Sequence, residues 1–274
     1  MNNVLKKTFQ TIFICFVLGF LITVNFQRLV TAGWSSHLLE NTAICTTPGQ
    51  QSSLQIVSDG AGGAIIAWED TRNVHFDIYA QRIDAHGNVL WMKDGISICS
   101  APENQNRPRI VSDGAGGAII TWHDVRNGIS NSDIYVQHID ADGNVQWTKD
   151  GIPVCAVANA QNSPCIATDG AGGAIIIWQD FRTNYADLCA QRINKNGELL
   201  WAKDGVLVCG TSGAQSAPVV VDDGVGGVIV VWQDFRRTYA DIYAQRVDGS
   251  GKIAWERSGV ALCNAPGHES FPVI

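Results

Sequence analysis

Short apolar runs, regularly spaced and separated by glycine-rich turns, dominate the chain. Ala64–Trp68, Ala118–Trp122, Ala174–Trp178 and Val228–Trp232 are almost uninterrupted apolar segments, the pattern of a strand buried on both faces. Around the first of them, Leu54–Ser58 precedes the turn Asp59–Gly63 and predicts a hairpin with Ala64–Trp68. Asp77–Asp84 then reads as a third strand, and Ala85-His86-Gly87-Asn88 as a tight turn in which glycine supplies a positive φ. Val89–Cys99 follows as a fourth strand broken at Asp94-Gly95. No helical period runs through these segments, so the unit predicted is four short antiparallel strands.

The unit recurs. Asp-Gly-Ala-Gly-Gly begins at Asp59, Asp113 and Asp169 and returns as Asp-Gly-Val-Gly-Gly at Asp223, at spacings of 54, 56 and 54 residues. A unit this small cannot cover its own apolar faces, and four-stranded sheets that cover one another in series are the blades of a β-propeller. The expected fold is therefore all-β. Cys45, Cys99, Cys155, Cys209 and Cys263 each close a fourth strand and fix the register. On that register residues 33–51 hold a stray fourth strand and its connection, and 52–274 hold the propeller repeats. Four full blades reach residue 263, and Pro272 then matches Pro108, Pro164 and Pro218 at the start of another. A lone first strand and a lone fourth strand lack the two that belong between them, which favours a truncated fragment of a larger propeller over a complete five-bladed ring.

Composition fits a turn-rich β protein with a large core: of 274 residues, 46% are hydrophobic, 16% are charged and 28 are glycine. A net charge of -7 without a basic cluster speaks against nucleic acid as a partner. Residues 1–32 read as a targeting segment, in which Lys6 and Lys7 precede the 13-residue apolar run 12–24 and Val30-Thr31-Ala32 offers compact residues for cleavage. The run is shorter than the about 20 residues of a membrane-crossing helix. A cleaved secretory signal is expected, with an uncleaved anchor as the alternative and the only route to a membrane. The location expected is secreted or cell-surface, with the periplasm as a third compartment.

Seven cysteines follow residue 32. The five in register lie in different blades, farther apart than the about 4.4–6.8 Å between Cα atoms that a disulfide spans, and read as buried thiols. Cys155 and Cys165 are the one pair placed to join, and Cys189 replaces the Tyr found at 79, 135 and 243.

Ile78-Tyr79-Ala80-Gln81-Arg82-Ile83-Asp84 through Trp91 resembles the repeat of pyrroloquinoline-quinone-type propellers, and Trp68-Glu69-Asp70-Thr71-Arg72 with Asp77-Ile78-Tyr79 is similar to blades of the Tol–Pal periplasmic propeller. The whole repeat resembles most those of long secreted bacterial proteins that carry a C-terminal secretion-sorting domain. The resemblance spans 52–263 and implies a propeller, without implying an activity.

Two tryptophan sets recur, Trp68, Trp122, Trp178 and Trp232, and Trp91, Trp147, Trp201 and Trp255. Recurrence at blade positions points to packing between blades in preference to a sugar platform. The pairs Asp70 with Arg72, Asp124 with Arg126, Asp180 with Arg182 and Asp234 with Arg236 put both side chains on one face of an extended segment and read as structural ion pairs. Asp140-Ala141-Asp142-Gly143-Asn144 has the opening of a calcium loop, but no bidentate Glu follows it and the equivalent turns lack the carboxylates. No metal, cofactor or catalytic motif is expected, and the chain reads as a non-enzyme.

Function is sought where the repeats differ. In an antiparallel blade the turns joining strands one to two and three to four share one end, and the two–three loops and blade-to-blade connections share the other. The first set is nearly constant, whereas the second varies and holds the insertion behind the 56-residue spacing. This is the pattern of a scaffold with a binding surface. Tyr185, Tyr239, Arg237, Asn184 and Asn127 are its candidate ligand contacts, suited to a polysaccharide or a protein. The expectation is a non-enzymatic secreted scaffold. The alternative is a piece of a glycan-active or quinone-dependent propeller enzyme whose catalytic residues lie in other blades.

Overall fold

The computed structural model describes residues 42–265, 267–270 and 272. The targeting segment and residues 33–41 of the expected stray strand lie outside the described residues. The fold is a β-propeller of four blades, each an antiparallel sheet with its strands in sequence order. Blade 1 comprises β1 (Gln51–Ser58), β2 (Ala64–Asn73), β3 (His75–Ile83) and β4 (Ile96–Cys99). Blade 2 comprises β5 (Gln105–Ser112), β6 (Ala118–Asp124), β7 (Asp133–Ile139) and β8 (Ile152–Cys155). Blade 3 has β9 (Gln161–Thr168), β10 (Ala174–Asp180), β11 (Asp187–Ile193) and β12 (Val206–Cys209). Blade 4 has β13 (Gln215–Asp222), β14 (Val228–Asp234), β15 (Asp241–Val247) and β16 (Val260–Cys263). Among the described residues the one helical turn is 3-10, Ile129–Asn131, in the loop that carries the insertion.

The fourth strand is shorter than its apolar pattern suggests. Asp94 and Gly95 both take left-handed backbone, at φ 64° and 89°, which ends the extended path, and Val89 keeps a single bridge to Ile83. Glycine is required at this break because a Cβ on Gly95 would lie 2.5 Å from Cη2 of Trp68, and Gly151, Gly205 and Gly259 stand over Trp122, Trp178 and Trp232 in the same way.

Each blade has two unlike faces. The tryptophan-bearing face of one blade packs on the aliphatic face of the blade before it, so Trp122, Tyr135 and Ile120 meet Ile65, Ala67, Ile78 and Ile98. Blades 2 and 3, and blades 3 and 4, repeat the arrangement. The tryptophan face of blade 1 is met by Ile44 and Cys45. On blade 4 the aliphatic face carries Leu262 at 60% exposure, against 2% or less for its counterparts Ile98, Val154 and Val208.

The turn end is held by contacts between blades, which explains its constancy. Asp59 Oδ1 accepts the amides of Ala61 and Gly63, and Oδ2 accepts Arg82, whose other nitrogen reaches the Ala141 carbonyl of blade 2 at 2.9 Å. Trp91, Trp147 and Trp201 each donate their indole N–H to a carbonyl in the turn of the next blade, at 3.0, 3.2 and 3.3 Å. His138 takes the place of Arg82 in blade 2 and meets Asp113 at 2.9 Å.

Candidate functional site

The loop end is built on a second recurring network. In blade 2, Asp124 Oδ2 accepts Trp122 Nε1 at 2.8 Å and Arg126 Nη2 at 2.6 Å, and the same guanidinium nitrogen reaches Cys99 Sγ at 3.3 Å and the Asp150 carbonyl at 2.9 Å. Arg126 also lies over the ring of Tyr135, 3.9 Å from its centre. Asp70 with Arg72, Asp180 with Arg182 and Asp234 with Arg236 repeat the ion pair, Arg72 touching Cys45 ahead of blade 1 and Arg182 and Arg236 the cysteine that closes the preceding blade, while Arg182 has Cys189 in place of the tyrosine ring. These pairs are therefore spent within and between blades. Burial of Asp180 would raise its pKa, but the bonds from Arg182 and Trp178 outweigh it and hold the carboxyl below its usual range.

The cysteines of the described residues are free thiols, so Cys155 and Cys165 are not joined. Burial pushes Cys99, Cys155, Cys165 and Cys209 up to about 12, which leaves them protonated and unreactive at neutral pH.

A further carboxylate in each blade escaped the sequence reading. Asp133, Asp187 and Asp241 open their third strands and Asp77 is the third residue of its own; all four are buried and pair in register with the Asp of the Asp-x-Arg motif. Each is met by the residue just after that arginine: Asn73 at 3.0 Å, Asn127 at 2.8 Å, Thr183 at 2.8 Å and Arg237 at 3.8 Å. Burial raises the pKa of Asp77, Asp133 and Asp187. Recurrence of Asp at this position was the available sign. Asn127, expected as a ligand contact, is thus engaged inside its own blade, whereas the Arg237 side chain is 57% exposed and approaches Asp241 without a hydrogen bond.

The other candidates are free at the surface. Tyr185 and Tyr239 are 53% and 49% exposed at matching places in the loops of blades 3 and 4. Tyr239 sets its ring edge-on to His268, with centroids 5.1 Å apart, and Asn184 is exposed beside Tyr185.

A polar row near the axis also escaped notice. Glu69, His123, Gln179 and Gln233 share one position, where Glu69 accepts the Arg107 amide at 2.6 Å and Gln179 and Gln233 donate to the carbonyls of Gln215 and Glu269. Three of the four thus tie a second strand to the backbone that follows its blade, and His123 does not. A cavity of 540 Å³ lies at the opposite, turn end of the axis, walled by Val57, Val111, Ile166 and Val220 and rimmed by Ser112 and Thr168. Both rim hydroxyl oxygens accept glycine amides, so the rim is occupied by its own backbone.

No protein-family model matches the chain. No curated protein matches it either. Among solved structures it is similar to an endo-arabinase from Bacteroides thetaiotaomicron, at 12% identity and a TM-score of 0.44 over 83% of this chain and 82% of that one. It is also similar to an exo-β-1,3-galactanase from Phanerochaete chrysosporium, at 12% identity and 0.44, over 82% and 54%. A third is a puromycin hydrolase, at 16% identity and 0.46, over 75% and 30%. These neighbours are enzymes, which overturns the expectation that the chain is not one. Similarity at this level concerns the fold and assigns no reaction. The bacterial repeat-protein identity stays an implication of the resemblance.

Proposed function

We propose that the chain forms part of an exported, glycan-active propeller that receives a polysaccharide at its loop end. The exposure of Tyr185 and Tyr239 at matching positions carries the reading. Core aromatics of this fold are buried blade after blade, whereas these two rings stand in solvent where the repeats diverge, with Asn184 beside one of them. A ring face next to amide groups suits a sugar, which stacks its C–H surface and hydrogen-bonds its hydroxyls. Export is supported by Lys6 and Lys7 ahead of the apolar run 12–24. Glycan arrays and affinity electrophoresis with wild type and the Tyr185→Ala/Tyr239→Ala double variant test the proposal. Loss of signal in a folded double variant is expected, and unchanged binding to every glycan would refute it.

A further inference from the structure

Four residues at one blade position hold left-handed backbone without being glycine: Ser53 at φ 53°, Arg107 at 55°, Ser163 at 51° and Ala217 at 49°. Each lies where two residues of a first strand oppose the tryptophan of the second strand, since the pairing skips from 52 to 55, 106 to 109, 162 to 165 and 216 to 219. Such backbone costs a residue with a side chain about 1–2 kcal/mol. Bulges of this kind re-aim the side chain they carry. Pro108 and Pro218 are buried while Arg107 and Ala217 just before them are exposed, so the re-aimed residues leave the packing between blades. First strands are the innermost, and adjacent bulges meet, because Arg107 Nη1 donates to Ser163 Oγ at 3.0 Å. β5 begins at the loop end and reaches the turn-end cavity at Val111, which puts Arg107 at the loop-end mouth of the axis.

Arg107 is the charged member of the four. Its guanidinium makes that one hydrogen bond and meets no carboxylate within 4.0 Å among the described residues, leaving four of its five N–H donors open. Glu69 holds the Arg107 amide through Oε1 at 2.6 Å and takes Ser52 Oγ on Oε2 at 2.9 Å, so it fixes the backbone without pairing the guanidinium. His123 stands nearby and is neutral, since burial and then the Arg107 charge hold it at about 4, and its Nε2 is buried without a partner. Arg109, two residues on, bonds only the Pro108 carbonyl among the described residues. In a chain of net charge -7, two cations without a counter-ion among the described residues thus share one inner strand.

We infer that Arg107 receives the carboxylate of an acidic sugar, which makes the polysaccharide of the proposed function a uronate-containing one and rests on that reading. The forked guanidinium matches a carboxylate with two parallel N–H···O bonds, and the left-handed bulge holds the fork toward the axis.

Titration calorimetry of the full chain with trigalacturonate and with its methyl ester, which keeps the hydroxyls and removes the charge, tests this. Wild type is expected to bind the acid about tenfold more tightly or better, with the advantage shrinking as salt is raised. Arg107→Gln should remove the difference, bringing the affinity for the acid down to that for the ester. Arg107→Lys, which keeps the charge but not the fork, should retain only part of the difference, and it carries the comparison alone if the glutamine variant does not fold. Equal affinity of wild type for acid and ester overturns the inference and leaves the polysaccharide reading standing. Inorganic sulfate bound as tightly as trigalacturonate also overturns it, since the site would then have no preference for a sugar. Binding of neither sugar by wild type sinks this inference. Ester binding that survives in the Tyr185→Ala/Tyr239→Ala variant sinks the reading beneath it.

Discussion

Asp124 and Asp133 face each other in register across β6 and β7, both buried, and yet their removal should have opposite consequences. Asp124 accepts four donors, Trp122 Nε1 at 2.8 Å, the Arg126 amide and Nε at 2.9 Å each, and Arg126 Nη2 at 2.6 Å. Asp133 accepts only Asn127 Nδ2, at 2.8 Å, and its Oδ1 has no partner. Asp124→Ala strips a half-buried arginine of its counter-charge and a buried indole of its acceptor, a loss of about 3–5 kcal/mol. For a domain of this size that is roughly 6–20 °C in Tm, at about 2–4 °C per kcal/mol. Burial raises the Asp133 pKa, with Asn127 opposing and Asp124 adding. A carboxyl whose pKa is higher folded than unfolded supports the fold below its unfolded value and ceases to as pH rises through the folded one. At pH 7 the Asp133 charge is therefore a burden, and Asp133→Asn should be neutral or stabilising, within about 0.5 kcal/mol of wild type or above it. Any advantage should fade as pH falls toward 4 and wild-type Asp133 takes up its proton. Urea unfolding followed by tryptophan fluorescence measures both variants. The reasoning fails if Asp124→Ala costs under about 1 kcal/mol, or if Asp133→Asn costs as much as Asp124→Ala.

Gly151→Ala should lose about 2–5 kcal/mol, because its Cβ would sit 2.5 Å from Trp122 Cη2 and its φ is 92°; a melt within 2 °C of wild type would refute it. In native protein at pH 8, iodoacetamide should label Cys45 and Cys263, which are half-buried, and spare Cys99, Cys155, Cys165 and Cys209, with urea exposing all of them. The same thiols ionise near 9 when unfolded and at about 12 when folded, so stability should fall as pH rises through that window, and a Tm that climbs between pH 9 and 12 would contradict it.

Most of the fold was legible because its determinants repeat. Ala118–Trp122 is apolar at every position but Thr121, whose hydroxyl donates to the Tyr135 carbonyl at 2.8 Å, and it lies inside β6 as its pattern predicts. The fourth strands were legible only in part, since apolar residues from Val89 onward pack and bridge without continuing the ladder once Asp94 turns left-handed. The cysteines illustrate a different limit. Their recurrence marked them as core positions, but not that the sulfurs of Cys45, Cys99, Cys155 and Cys209 would each accept an arginine, because that partner lies 27 residues further along the chain.

The candidate site was less legible because sequence variation and structural freedom are different things. Asn73, Asn127 and Thr183 differ in kind, yet each donates to the aspartate at the start of the third strand, and Arg237 approaches it as an ion pair, so their variety reflects several ways of meeting one carboxylate. Glu69 and Gln179 likewise reach the next blade's backbone, and Gln233 the segment after blade 4, with different chemistry. Arg107 is the converse case. Strand alternation places it as one more residue between Asn106 and Pro108, and no glycine marks the bulge that turns it toward the axis. Only the backbone angle separates a cation spent on packing from one offered to a ligand. What marks the loop end as the proposed ligand face is therefore the exposure of Tyr185 and Tyr239 and the open guanidinium of Arg107, and not loop diversity as such.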